Sequence, residues 1–274
     1  MTTAAAFRAC ALIPTFDNPI TIGKVVGEVR RHVADVLVVD DGSGAEGRRA
    51  VEALAAAGVA RVVHRERNGG KGAAVKTGLR VARELGFSHA LQIDADGQHD
   101  PDDIPRFVAQ AAERPEAAVL GHPVFDDSTP RGRRAAHGFT NFWTRLETAG
   151  GVIRDPQCGY RVYPLEAALG VGARGNRMDF DIEIAVRLAW AGIPIINLPT
   201  RVRYLPAVEG GVSHFRPLRD NVGIAWMHTR LVLASLLWRI GSKRLVGNPR
   251  GAPGPSRDDP AGRSPAPSTP RRLH

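Results

Sequence analysis

From residue 7 to about residue 120, short apolar runs alternate with stretches of helical periodicity. Residues 8–13 read as a buried strand closed by Pro14. A helix is predicted over 20–33, with Ile22, Val25, Val26 and Val29 on one face. Val36–Val39 is too short and too β-branched for a helix and forms a second strand. Asp40-Asp41-Gly42-Ser43-Gly44 stops it, and Ser43 is placed to cap a helix over 46–57. Arg61–Val63 opens a third strand. Asn68-Gly69-Gly70-Lys71-Gly72 leads into a helix that turns Ala74, Val75, Leu79, Ala82 and Leu85 inward. His89–Ile93 and Ala117–Leu120 are the fourth and fifth strands. This alternation predicts an α/β fold, a mostly parallel sheet with right-handed crossovers and helices on both faces.

In such a sheet, ligands bind beyond the carboxyl ends of the strands. The first strand ends at Pro14-Thr15-Phe16-Asp17, the second at Asp40-Asp41, the third near Asn68 and the fourth at Asp94-Ala95-Asp96. Like charges on one rim repel unless a cation or a hydrogen-bonding ligand sits among them. Asp94 and Asp96, spaced i and i+2 where a strand ends, can aim two carboxylates at one hard cation while Ala95 points away. Mg²⁺ and Mn²⁺ favour such carboxylates together with phosphate oxygens. The plainer reading of a lone Asp-x-Asp is a turn, because Asp-Gly pairs punctuate loops.

Several motifs in fixed order carry a resemblance. Ile13-Pro14-Thr15-Phe16, Val38-Val39-Asp40-Asp41-Gly42-Ser43, Asn68–Gly72 and Asp94–Pro101 are similar in order and spacing to family 2 glycosyltransferases. The chain most resembles the branch of dolichol- or polyprenol-phosphate mannosyl and glucosyl synthases. The likeness continues through Asp155–Arg161, Phe180–Glu183, Arg203 and Gly211–His214, and so covers roughly residues 8–240. Pro14–Asn18 departs from the commoner Pro-x-Tyr-Asn-Glu form.

The resemblance implies a GT-A fold, inverting chemistry, a UDP- or GDP-linked sugar donor and Mg²⁺ or Mn²⁺ as cofactor. The donor site it implies comprises Pro14, Thr15, Phe16, Asp40, Asp41, Asn68, Lys71, Asp94, Ala95, Asp96, Gln98, Arg203 and His214. Asp94 and Asp96 would hold the metal. Asp40 and Asp41 would take hydrogen bonds from base and ribose, or else cap a helix. Lys71 sits in a glycine-rich turn at a helix start, where backbone N–H groups favour anions. Inversion with a sugar hydroxyl needs a general base, whereas a lipid phosphate is already anionic. The base candidates are Asp155 first, then Glu183 and Asp181, the last two opening a helix over 182–191. For Asp181, helix capping is the competing account.

Charge refines the picture. The 274 residues carry +9, but between Ser242 and His274 seven basic residues face only Asp258 and Asp259, so this segment holds +5. It also contains seven of the 20 prolines and little that can be buried, the composition of a disordered basic tail. The chain thus divides into a glycosyltransferase domain over 1–220, an apolar interfacial helix over 221–241 and the tail over 242–274. No stretch reaches the ~20 apolar residues of a membrane span. The amino-terminal residues lack a signal-peptide pattern, so a cytoplasmic setting is expected. The helix and tail point to peripheral attachment at the anionic inner leaflet, which suits a lipid-linked acceptor. Arg131, Arg133 and Arg134 precede an aromatic segment with Phe139, Phe142 and Trp143, and either attract a lipid phosphate or form a solvated run.

Other classes fit less well. A body of only +4 with an acidic rim argues against nucleic acid as a partner. No Gly-x-Gly-x-x-Gly follows the first strand, which disfavours a dehydrogenase. A sugar nucleotidyltransferase remains a rival with a related sheet. Cys10 and Cys158 have no disulfide-framework spacing, and Cys158 reads as a packed thiol. His64 and His137 read as surface residues without partners. Arg201, next to Val202, reads as a solvated strand charge.

Overall fold

The computed structural model describes residues 6–124, 131–148, 150–202 and 217–245. Strands β1 (Ala9–Thr15), β2 (Val36–Asp40), β3 (Arg61–His64) and β4 (His89–Gln92) alternate with helices α1 (Ile22–Arg30), α2 (Ala45–Ala56) and α3 (Lys71–Glu84). A 3₁₀ turn over Pro101–Asp103 and α4 (Ile104–Glu113) lead to β5 (Ala118–Pro123) and α5 (Arg131–Thr148). Then follow β6 (Arg161–Pro164), α6 (Leu165–Gly170), α7 (Asp179–Trp190), β7 (Ile195–Thr200) and α8 (Pro217–Leu245).

The seven strands lie in the order β3-β2-β1-β4-β6-β5-β7. All pairs are parallel except those made by β6, which runs antiparallel to β4 and β5. From β1 the chain first winds outward through β2 and β3, then returns to place β4 on the other side of β1. That reversal opens a crevice at the carboxyl ends of β1 and β4, where an open α/β sheet receives ligands.

Period-two alternation divides the core into two layers. Cys10, Leu12, Leu37 and Val39 face a layer with α3, α6, α7 and α8, where Leu79, Phe180, Ile184 and Met227 are buried. Ala11, Ile13, Val36 and Val38 face α1, α2 and α4 through Val26, Val51 and Phe107. Each Leu or Ile fully removed from water in these layers contributes about 1.5–3 kcal/mol. On the first face α3 presses so close that a Cβ on Gly78 would sit 2.1 Å from Leu12 Cδ1. The missing Cβ lets helix and strand meet this closely; a larger residue would force the buried Leu12 side chain to move.

Three local expectations need correction. The first helix is shorter than 20–33: Ile20 is exposed and Val33 packs in the turn beyond the helix. Ser43 does not cap α2, whose N-cap is Gly44; its hydroxyl instead accepts a hydrogen bond from Asp17 N at 2.9 Å. α7 starts at Asp179, so Asp181 and Glu183 lie within its first two turns.

Contacts divide the chain into a compact unit over Met1–Leu236 and a second over Leu237–His274. Among the described residues, no helix is long and apolar enough to cross a membrane. The residues of the basic tail lie outside the described set, apart from the end of α8.

Candidate active site

The β2 and β3 ends form one side of the rim. Asp40 is buried; its Oδ1 accepts from Ser43 N at 3.0 Å, and His64 Nδ1 lies 2.9 Å from Oδ2. His64 is therefore a surface residue with a partner, contrary to expectation. Burial opposes the charge on Asp40, but the hydrogen bonds from Ser43 and His64 outweigh it and lower its pKa. Asp41 holds the glycine-rich loop: Gly70 N donates to Oδ2 at 2.6 Å, Gly69 N to Oδ1 at 3.1 Å, and Arg65 pairs with Oδ1. Asn68, just ahead of this loop, is exposed. The loop can turn this tightly because Gly70 takes φ +97°, and a Cβ there would meet Asn176 O at 2.6 Å.

β1 ends against the turn that follows β2. Pro14 and Thr15 are buried, Phe16 is half-buried, and Asp41 N donates to Thr15 O at 2.9 Å. Thr15 and the Phe16 amide both bond Asn18 Oδ1, and Asp17 Oδ1 accepts from Gly44 N. Asp17, at φ +49°, thereby joins the exits of β1 and β2.

The acidic pair follows β4. Lys71, the first residue of α3, places Nζ 2.7 Å from Asp94 Oδ1 and 2.8 Å from Asp181 Oδ2. Gln92 Nε2 donates to Asp181 Oδ1 at 3.0 Å. Burial disfavours the ammonium, but Asp181 and Asp94 overcome it and raise the Lys71 pKa. Burial likewise opposes the Asp94 charge, yet Lys71 and His99 hold its pKa far below the carboxylate range. His99 Nε2 lies 3.7 Å from Asp94 Oδ2, and its ring stacks on Tyr160 with centroids 5.2 Å apart.

Asp96 is treated differently. Its Oδ1 accepts from Gln98 N at 3.0 Å, and among the described residues no cation pairs with it. Burial and the charge of Asp94 both raise its pKa. A carboxylate pushed toward protonation beside a second, firmly ionised one fits a divalent cation, which would relieve both costs. Ala95 is buried and turned away, with its carbonyl accepting from Thr21 Oγ1 at 2.7 Å. No group of three or more His, Cys, Asp or Glu side chains with metal-binding geometry occurs among the described residues.

The turn from Asp155 to Arg161 closes the site from the β6 side. Asp155 is buried and its Oδ1 accepts from Gln157 N and Cys158 N at 2.9 and 2.8 Å. Arg161 is wholly buried and donates to Cys158 O and Pro156 O at 2.6 Å and to Asp181 O at 2.5 Å. It ties the turn to α7 through carbonyl oxygens. A Cβ on Gly159 would fall 2.4 Å from Asp94 Oδ2 and 2.5 Å from Lys71 Nζ, so this glycine lies directly on the ion pair. Cys158 is packed as expected: burial, then Asp155, pushes its thiol up to about 12.

The structure thus brings together Lys71, Asp94, Asp96, Asp181 and the Asp155 turn. It sets Glu183 apart. Glu183 Oε2 accepts from Gly175 N at 2.6 Å and Arg174 N at 3.1 Å, while Arg187 Nε donates to Oε1 at 2.8 Å. Arg201 is exposed just beyond β7. Arg203 and His214 lie outside the described residues, as does the side chain of His137. Sequence reasoning missed Gln92, His99, Gly159 and Arg161 as site-forming residues. The last two close the Asp155–Arg161 motif, and their place in it was the available signal.

The chain belongs to glycosyl transferase family 2, whose sequence model matches residues 10–167. It is 30% identical over 205 residues to the polyprenol monophosphomannose synthase of Mycolicibacterium smegmatis, covering 70% of this chain and 76% of that protein. It is 28% identical over 204 residues to the undecaprenyl-phosphate mannosyltransferase of Micrococcus luteus, with 70% and 82% covered. The glucosyl-3-phosphoglycerate synthase of Mycobacterium tuberculosis, solved with Mn²⁺, UDP and glucosyl-3-phosphoglycerate, superposes with a TM-score of 0.62. That match has 21% identity and covers 86% of this chain and 81% of the other, which establishes the fold. The protein is a glycosyltransferase of the GT-A fold that uses a nucleotide-sugar donor, and its relatives support the dolichol- or polyprenol-phosphate branch.

Proposed function

We propose that this enzyme moves a sugar, with inversion, from a UDP- or GDP-sugar to a lipid-linked phosphate at a membrane surface. The observation that carries the acceptor class is the engagement of all three base candidates. Asp155 Oδ1 holds its turn, Asp181 is bonded by Lys71 and Gln92, and Glu183 serves two backbone N–H groups and Arg187. A hydroxyl acceptor needs a proton taken away; a phosphate brings its own nucleophilic charge. The names of the lipid-phosphate mannosyltransferase relatives support the same class.

Asp96 and Asp94 would hold Mg²⁺ or Mn²⁺, which when bound offsets charge developing on the departing nucleotide diphosphate. Lys71 and His99 fix the orientation of Asp94, and Gly159 leaves that carboxylate uncovered on one side. The Asp40, Asp41 and Gly69–Gly70 group shapes the wall on which the nucleoside would rest. The acceptor oxygen would approach the anomeric carbon from the side opposite the diphosphate, and the anomeric configuration would invert.

Thermal-shift screening against UDP- and GDP-sugars with Mn²⁺ tests the donor. Transfer to a polyprenyl phosphate in detergent, with the product anomer read by NMR, tests the acceptor and the inversion. Release of nucleoside diphosphate is expected; transfer only to neutral sugar hydroxyls would overturn the acceptor class. Asp96→Asn is expected to keep the fold and to lose metal-dependent turnover.

A further inference from the structure

Helices α5 and α8 both bury polar side chains and leave large apolar ones outward, although α8 also packs Ile224, Met227 and Leu231 into the core. α5 buries Thr140, Thr144 and Glu147 and exposes Phe139, Phe142 and Leu146. α8 buries Asp220, His228 and Ser235 and exposes Val222, Trp226, Leu233 and Leu236. Phe142 and Trp226 are 62% and 65% exposed, values unusual for aromatic side chains on a polar protein surface. The rotation of both helices is fixed from inside: His228 Nδ1 lies 2.7 Å from Glu147 Oε1, and the Trp143 and His228 rings are 6.2 Å apart. Neither helix can turn its exposed apolar residues inward without breaking that buried pair.

Charge is sorted by sign in the same way. Glu147 and Asp220 are the acidic residues of the two helices, and both are buried. Arg145 is exposed on α5, beyond the Arg131, Arg133 and Arg134 of its first turn, and α8 continues in sequence through Arg239, Lys243 and Arg244. Among the described residues of the two helices no acidic side chain faces outward: the exposed ones are apolar apart from Arg145, Asn221 and Thr229, and the other basic residues add positive charge in sequence. A second copy of the chain would set one basic apolar face against another. An anionic lipid surface complements both properties at once.

We propose that α5 and α8 form a docking face for an anionic membrane surface, with Phe142 and Trp226 entering the headgroup boundary. The face is connected to the site, because Gln157 Nε2 donates to Thr140 Oγ1 at 3.0 Å and Gln157 N is held by Asp155. Docking through α5 therefore carries the Asp155 turn toward the lipid headgroups, and in this respect the inference rests on the lipid-phosphate acceptor proposed above.

Co-sedimentation of the full chain with phosphatidylcholine vesicles, with and without phosphatidylglycerol, tests it. The Phe142→Asp/Trp226→Asp protein is expected to bind phosphatidylglycerol vesicles about tenfold more weakly or worse. Phe142→Leu/Trp226→Phe should bind as wild type does, and all three proteins should melt alike. Unchanged binding by the aspartate variant overturns the proposal, as does a wild-type protein that binds neither vesicle. If light scattering shows a wild-type dimer that the aspartate variant dissociates while vesicle binding persists, the face joins two copies and the proposal fails. Mn²⁺-dependent binding of UDP or GDP, read by thermal shift in the same proteins, separates the two readings. Loss of vesicle binding in the variant supports docking even if the wild type binds neither nucleotide, in which case the donor assignment falls alone.

Discussion

The ammonium of Lys71 lies 2.8 Å from Asp181 Oδ2, and this contact fastens the first residue of α3 to the first turn of α7. The same nitrogen serves Asp94 at 2.7 Å, so one largely buried cation balances the buried Asp181 carboxylate and the half-buried Asp94 carboxylate. Removing it leaves both uncompensated. Lys71→Met is expected to lower unfolding free energy by about 3–5 kcal/mol. Adding Asp181→Asn should recover part of that loss, since one charge then remains unpaired instead of two. Urea unfolding of the two single variants and the double variant measures the coupling; simple additivity would contradict the shared cation.

Gly159→Ala separates stability from catalysis. The new methyl would meet the tips of the Asp94 and Lys71 side chains, which can move aside, and no backbone atom is among the nearest neighbours. Unfolding free energy should therefore change by about 1 kcal/mol or less. The Asp94 carboxylate, proposed above to hold the metal, must however shift by a large fraction of an ångström, and kcat/KM is expected to fall about 100-fold. Gly70→Ala should do the reverse damage, because its φ of +97° and the Asn176 carbonyl at 2.6 Å leave no room. Paired melting and kinetic measurements on both variants distinguish the two glycines.

The contrast between these residues explains what could be read along the chain. The four parallel strands from β1 to β4 and the Asp94–Asp96 pair at a strand end are local patterns, visible in apolar runs and in punctuation by Asp and Gly. Strand β6 is four residues long and antiparallel, and nothing in Arg161–Pro164 states that it inserts between β4 and β5. Asp41 could be picked out as a rim acid, but its partners lie 28 and 29 residues away. The bond between Gln92 and Asp181 spans 89 positions. Arg161 was least legible. A buried guanidinium satisfied by three carbonyls leaves no oppositely charged residue to search for.

Asp40 provides a pH-dependent contribution with a defined sign. Its pKa in the folded protein is below the ordinary 3.8, because bonds from Ser43 and His64 outweigh the cost of burial. The unfolded chain therefore takes up this proton first as the pH falls. The stabilisation is complete above the ordinary value and disappears as pH drops through the lowered folded value. Asp40→Asn should be less stable than wild type by about 1–3 kcal/mol at neutral pH. The gap should close in strong acid. Urea midpoints for both proteins across this range provide the check, and a gap independent of pH would contradict the assignment.

Asp155→Asn decides whether that carboxylate moves a proton or holds a turn. Asparagine keeps an oxygen able to accept from Gln157 N and Cys158 N, so the turn over Gly159 and its contact with Asp94 should survive. What it loses is basicity. A general base removed from a hydroxyl acceptor costs about 10²–10⁴-fold in rate. With a polyprenyl phosphate acceptor the variant is expected to retain turnover within about tenfold of wild type. Its pH–rate profile should keep the same acidic limb. Asp155→Ala, which removes the turn's acceptor as well, should lose far more. Asp155→Asn and Asp155→Ala falling equally far would instead make the proton transfer real and the acceptor a hydroxyl.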